Sequence, residues 1–246
     1  MQFQSPGKDV VNTDIAPGID KRLCGARIQT YLLEKVRICD QQEGERNYHI
    51  FYEGCAAAAA MASSSYTFPQ RLAKEKVKEE MTVDLTGFAD LSNFAFLTRS
   101  TCKTLKDVDD IQMFEVRIAA MQAIGFSGDD INTVMNIISA VLNLGNTKFD
   151  APANNSEGSQ VMSECSKSIE MAAQLTGVSR ESLEKSICNT TRTVAGSKIR
   201  SPVKVTQAAD NRDALAKALY GLIFNYVVKV ANRSIGYKED VKLFVG

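Results

Sequence analysis

The feature that most restricts the fold is the helical pattern from Gln207 to about Arg233, the longest in the chain, with Leu215, Leu219, Leu222, Tyr226 and Val230 on one stripe. At ~1.5 Å per residue such a helix spans about 40 Å, and its apolar stripe must be covered by other elements along its length. Shorter helices are available to cover it. VDDIQMFEVRIAAMQAIGF places Ile111, Phe114, Ile118, Met121 and Ile124 at helical spacing. Ser127 followed by Asp130 resembles a capping box, opening a helix through Ile131, Val134, Ile138, Val141 and Leu142 that stops at Gly145. Two more helices are expected near 162–175 and 179–187, joined by a turn at Gly177, and another from about Glu45 to Ala62 that ends in five alanines. With 44% hydrophobic and 24% charged residues, these helices have the composition of a packed core and not of a disordered chain.

Strands are fewer. MQFQ at the start, GARIQTYLL from Gly25, TKFD before Ala151 and VKLFVG at the end carry strand patterns, so the fold class is α+β, predominantly α-helical. SPGKDVVNTDIAPGIDKR, between the first two, reads as a long surface connection. Ser63 to Ser65 break the alanine helix, and Pro69 favours the start of another. LAKEKVKEEM alternates in charge and is expected to be the solvated face of a short helix. TTRTVAGSKIRSPVKV, with two β-branched runs flanking Ala195 and Gly196, is expected to be an exposed hairpin whose charges, Arg192, Lys198, Arg200 and Lys204, are all positive.

Much chemistry is excluded by counting. The 29 basic and 29 acidic residues balance, so no overall field draws in nucleic acid or an anionic membrane. Six scattered cysteines without a C-x-x-C pair read as reduced core thiols, and a single histidine makes a zinc site improbable. No unbroken apolar run reaches the eighteen or so residues of a membrane span, which points to the cytosol. That histidine, His49, lies in GERNYHIFY among Tyr48, Ile50, Phe51 and Tyr52. A base needs a nucleophile and an orienting partner, and the local sequence offers neither, so His49 is read as structural, on a helix packed in the interior.

The order GARIQTYLLEKVRI, GERNYHIFY, FEVRIAAMQAIGFS, VLNLGNTKF, ADNRDALAKALYGLIFNYVV and KLFVG resembles consecutive motifs of the myosin motor head and covers nearly the whole chain. The poorest matches are 5–22 and 56–82. The resemblance implies that residues 1–40 and 241–246 are strands of the central transducer sheet and that 41–240 form a mainly helical upper subdomain. It implies a partial motor domain of an actin-based cytoskeletal motor, in the cytoplasm and associated with the cytoskeleton. Its partners would be the actin filament and the remainder of the myosin heavy chain, with no nucleic acid and no membrane span. The alternative is a non-catalytic actin-binding or scaffold module derived from such a head.

ATP and Mg2+ are expected for the complete head and not for this segment alone. A P-loop of the form GESGAGKT, a switch I of the form NNNSSRFGK and a switch II of the form DIFGFE are all missing from the sequence. No G-x-x-x-x-G-K-[ST] occurs either; Gly196-Ser197-Lys198-Ile199 lacks the first glycine and the hydroxyl. Phosphoryl transfer needs those groups, so the chain alone is expected to be inactive, and its end at VKLFVG suggests a truncated head. The hairpin aligns with the family's cardiomyopathy loop, which implies actin contact by Arg192, Lys198, Arg200 and Lys204. Ser197, sixteen residues before DALAK, falls where the family carries a regulatory phosphosite or an acid, so a phosphate there would lie between Lys198 and the nearby Arg192 and Arg200. APANNSEGSQ sits where the family has another actin-side loop; Glu157 is its lone charge, so little pull on actin is expected from it.

Overall fold

The computed structural model describes residues 26–61, 65–73, 77–194 and 197–236. The expected strands MQFQ and VKLFVG, the long connection between 5 and 22, and Cys24 lie outside them. The described chain runs α1 (His49–Ala60), β1 (Ser65–Phe68), β2 (Met81–Asp84), α2 (Asp110–Ala123), α3 (Gly128–Gly145), β3 (Phe149–Asp150), β4 (Gln160–Val161), α4 (Ser166–Thr176), α5 (Arg180–Cys188), β5 (Asn189–Val194), β6 (Ser197–Pro202) and α6 (Val205–Ile235). Each strand pairs antiparallel with its neighbour in sequence, β1 with β2, β3 with β4 and β5 with β6. The fold is α+β and predominantly helical, as its patterning requires.

Helix α3 is the centre. Every residue from Ile138 to Gly145 is buried, against α1, α2, α4, α6 and β2. A helix covered on all sides must satisfy its polar groups internally. Ser139 Oγ donates to the Thr86 carbonyl at 2.9 Å, and Asn143 Nδ2 donates to the Gly87 carbonyl at 3.0 Å, which ties the chain after β2 onto α3. The expected capping box is present, with Ser127 Oγ accepting from the Asp130 N–H and Asp130 accepting from Ser127. Gly145 ends the helix against the ring of Phe96, where a Cβ would come within 2.7 Å of a ring carbon. Gly177 closes α4 in the left-handed region at φ 69°, as a helix terminator does.

Several expectations are corrected. Helix α1 begins at His49, not near Glu45: Tyr48 is extended, and Asn47 Nδ2 donates to the carbonyls of Arg37 and Ile38 at 3.0 and 3.4 Å. His49 is exposed, because the buried face of α1 is built from Phe51, Tyr52 and Cys55, about a third of a turn away. Its neighbour Tyr48 stacks on Tyr220 with ring centroids 4.7 Å apart. The charged segment gives no helix at 77–80, and no helix starts at Pro69. Instead SYTF and MTVD pair as β1 and β2, because Tyr66, Phe68 and Val83 alternate into the core. On α6 the buried positions are Ala208, Arg212, Ala216, Tyr220, Gly221 and Ala231, while Leu215, Leu219, Tyr226 and Val230 are half-buried and Leu222 is 66% exposed.

Helix α6 is also long and apolar enough to cross a membrane by length and composition. Here its side is taken up by α3 and α5, and Tyr226 Oη donates to Asp130 at the start of α3. Residues 26–33, expected as a strand, form no ladder among the described residues. The backbone of Ile28 is satisfied by one side chain instead, with its N–H donating to Asn232 Oδ1 at 2.6 Å and its carbonyl accepting from Asn232 Nδ2 at 2.9 Å. Tyr31 and Leu32 beside it are 86% and 84% exposed. Of the cysteines, Cys39, Cys55, Cys165 and Cys188 are buried free thiols and Cys102 is partly exposed.

Candidate functional site

Strands β5 and β6 leave the core as a pair and stay exposed toward their tip. Their foot is fixed: the Val203 N–H donates to the Cys188 carbonyl at 3.0 Å, and Asn211 Nδ2 on α6 caps the Ile187 carbonyl of α5 at 2.8 Å. Ile187, Cys188 and Val203 are buried there, and burial pushes the Cys188 thiol pKa up. Above this foot, Arg192, Lys198 and Arg200 are exposed and make no ion pair with any described residue. No acid occurs between Asn189 and Lys204.

The register sorts these charges. Arg192 pairs with Ile199, Thr193 with Lys198 and Thr191 with Arg200. Side chains alternate across a strand, so Arg192, Ile199 and Ser197 share one face, while Lys198 and Arg200 share the other. A phosphate on Ser197 would therefore share the face of Arg192, with Lys198 and Arg200 on the opposite one. On the other face Arg200 borders an open cleft between the hairpin, α5 and α6, lined also by Lys185, Asn189, Thr191 and Asn211.

Lys204 differs from the other three cations. It precedes α6 directly, and its Nζ lies 2.9 Å from Glu157 Oε2 on the loop between β3 and β4. The lone charge of that loop is thus turned onto the hairpin foot. Nothing in the sequence suggests the pairing, because the partners are 47 positions apart, one on the β3–β4 loop and the other at the start of α6.

A second polar constellation lies in the core. Glu115 on α2 is fully buried and accepts from Tyr66 Oη at 2.7 Å, from the Gln70 N–H at 2.7 Å, from the Arg71 N–H at 2.8 Å and from the Leu72 N–H at 2.5 Å. Burial pushes its pKa up, but these donors outweigh burial and the carboxyl is held below its ordinary value. Glu53 on α1 is buried and receives Arg117 through two bonds of 2.6 and 2.7 Å. Arg46 is buried, meets both oxygens of Asp110 at 2.9 Å and lies 4.2 Å from the centroid of Tyr52. Apart from Arg46 Nε, which is buried without a partner, these groups are met by partners within the fold and hold it together. A signal for Glu115 was present: with Ile111, Ile118 and Gln122 it sits at the spacing of a buried stripe, where a charge must be paired.

No cradle for ATP and Mg2+ exists among the described residues. The glycines with positive φ, at 44, 87, 125, 177 and 236, serve turns and helix ends, and no group of three or more His, Cys, Asp or Glu is gathered as for a metal. The described residues therefore do not fit those groups.

Comparison with known proteins bears on the whole chain. Residues 14–246 match the family model of the myosin head (motor domain). The chain is 34% identical over 224 residues to the myosin-I heavy chain of Dictyostelium discoideum, covering 91% of this chain and 9% of that protein. It is 33% identical over 215 residues to unconventional myosin-Ic of Aquarana catesbeiana, covering 87% of this chain and 19% of that protein. It is 30% identical over 225 residues to myosin-14 of Arabidopsis thaliana, covering 92% of this chain and 14% of that protein. The chain thus spans between about a tenth and a fifth of the length of these relatives. With most of its residues matched by the family model, and an α+β helical core of the kind its motifs imply, the chain belongs to the myosin head family.

Proposed function

We propose that this chain supplies an actin-facing part of an actin-based motor, working with the remainder of a myosin heavy chain in the cytoplasm, at the cytoskeleton. The observation that carries the reading is the β5–β6 hairpin. It is rigidly footed in the core, projects Arg192, Lys198 and Arg200 into solvent and contains no acid. Such a hairpin speeds encounter with an acidic filament and orients docking, with a contribution that falls as salt rises. ATP and Mg2+ belong, in this reading, to parts of the head that supply a P-loop and both switches, and the chain by itself does not hydrolyse ATP. Ser197 is the regulatory phosphosite, where added negative charge meets Arg192 on its own face.

The test is cosedimentation of the chain with filamentous actin. Replacing Arg192, Lys198 and Arg200 together by Gln is expected to weaken binding roughly tenfold at low ionic strength, with the difference shrinking at high salt. Equal binding by parent and triple variant at low salt overturns the reading.

A further inference from the structure

We propose that Glu157 is an internal gate on the hairpin, holding Lys204 away from an acidic partner until the partner's own carboxylate replaces it. The inference rests on the actin-facing reading above and names a control within that same site.

The loop that carries Glu157 is folded, not loose. Pairing of Phe149 with Val161 and of Asp150 with Gln160 closes its ends. Within it, the Asn155 N–H donates to the Pro152 carbonyl, the Gly158 N–H to the Asn155 carbonyl, and the Glu157 N–H to Asn155 Oδ1 at 3.1 Å. The Val161 N–H donates to Glu184 on α5 at 3.2 Å, which fixes the loop to the helix that feeds the hairpin. The carboxylate is thus presented from a built turn, and it meets the Lys204 ammonium at 2.9 Å.

Lys204 has a physical reason to need that carboxylate. It occupies the N-cap of α6 without a side-chain capping bond, and α6 has no acid in its first turn. The amino end of a helix carries partial positive charge and repels an ammonium. Glu157 relieves this repulsion and at the same time occupies the cation at the hairpin foot. Both side chains are more than 60% exposed, at 64% for Lys204 and 69% for Glu157. An exposed pair of this kind is weak enough for a partner's carboxylate to exchange into it.

The chain and its Glu157→Gln, Lys204→Gln and doubly substituted forms are cosedimented with filamentous actin at low and high ionic strength, after circular dichroism has confirmed equal helix content. Freed of its acid, Lys204 is expected to tighten binding roughly two- to five-fold at low salt. Lys204→Gln alone should change little, and in the double variant it should cancel the gain, because the two residues act through one contact. Unchanged or weaker binding by Glu157→Gln, or independent additive effects, overturns the gate. If the Arg192, Lys198 and Arg200 triple variant still loses affinity, only the gate has failed; if that variant binds like the parent, the actin-facing reading has failed first.

Discussion

The chain uses its charges in two opposite ways. Around α1 and α2, Glu53, Arg46 and Glu115 are buried and each is met by dedicated partners, so charge is spent on fixing one arrangement. On the β5–β6 hairpin, Arg192, Lys198 and Arg200 face solvent without a described partner, and only the foot is tied down. A buried charge cannot be left unmatched without a cost of several kcal/mol, whereas an exposed cation costs almost nothing to keep free. The first region is thus fixed by its own stability, and the second is free to be shaped by a partner.

The contrast breaks most visibly at Glu115. Glu115→Ala leaves a tyrosine hydroxyl and three backbone amides without their acceptor, and about 3–5 kcal/mol of stability should be lost, read as a drop in the urea midpoint. A loss near 0.5 kcal/mol would mean that the buried constellation is ornament. Gly145→Ala asks how tightly the same core is packed. Its Cβ would meet the Phe96 ring at 2.7 Å, and a loss of about 1–3 kcal/mol is expected from thermal melts.

Acid sharpens the comparison further. The folded-state pKa of Glu115 lies below its ordinary value of 4.5, so the folded state gains from its ionised form. That gain is complete above the ordinary carboxylate range and is lost as the pH falls through the depressed folded value. Urea midpoints of the parent should fall in this window, and those of Glu115→Gln should fall less steeply. At the other end of the scale, neutralising Arg192, Lys198 and Arg200 should leave stability within about 0.5 kcal/mol while actin affinity drops. If the hairpin variant melts much lower than the parent, the two regions are not distinct in kind.

Both regions show where a linear reading stops. The α2 stripe of Ile111, Phe114, Ile118 and Met121 packs inward as its spacing requires, and the Ser127–Asp130 box closes as written, because both depend on residues within a turn or two. The β5–β6 hairpin follows from two β-branched runs around a short turn for the same reason. Tyr48 to Tyr52 promised an aromatic face but not that His49 would be left outside it, since that depends on where Tyr220 of α6 arrives. The densely charged segment before β2 has a helix's composition, yet Glu115 takes the amides of residues 70–72 and the core takes Tyr66, Phe68 and Val83 as strand positions.

By itself, then, the sequence determined most of the helices, the Ser127–Asp130 cap, the basic hairpin and the family, because propensity, periodicity and motif order are local or linear properties. Only the tertiary structure decided which face of α6 lies deepest, that Glu115 is the buried anchor of α2, that Arg192 shares a face with Ser197, and that Glu157 reaches Lys204. Each of these is a contact between residues far apart in the chain, and the free energy of such a contact exists only once packing has brought its partners together.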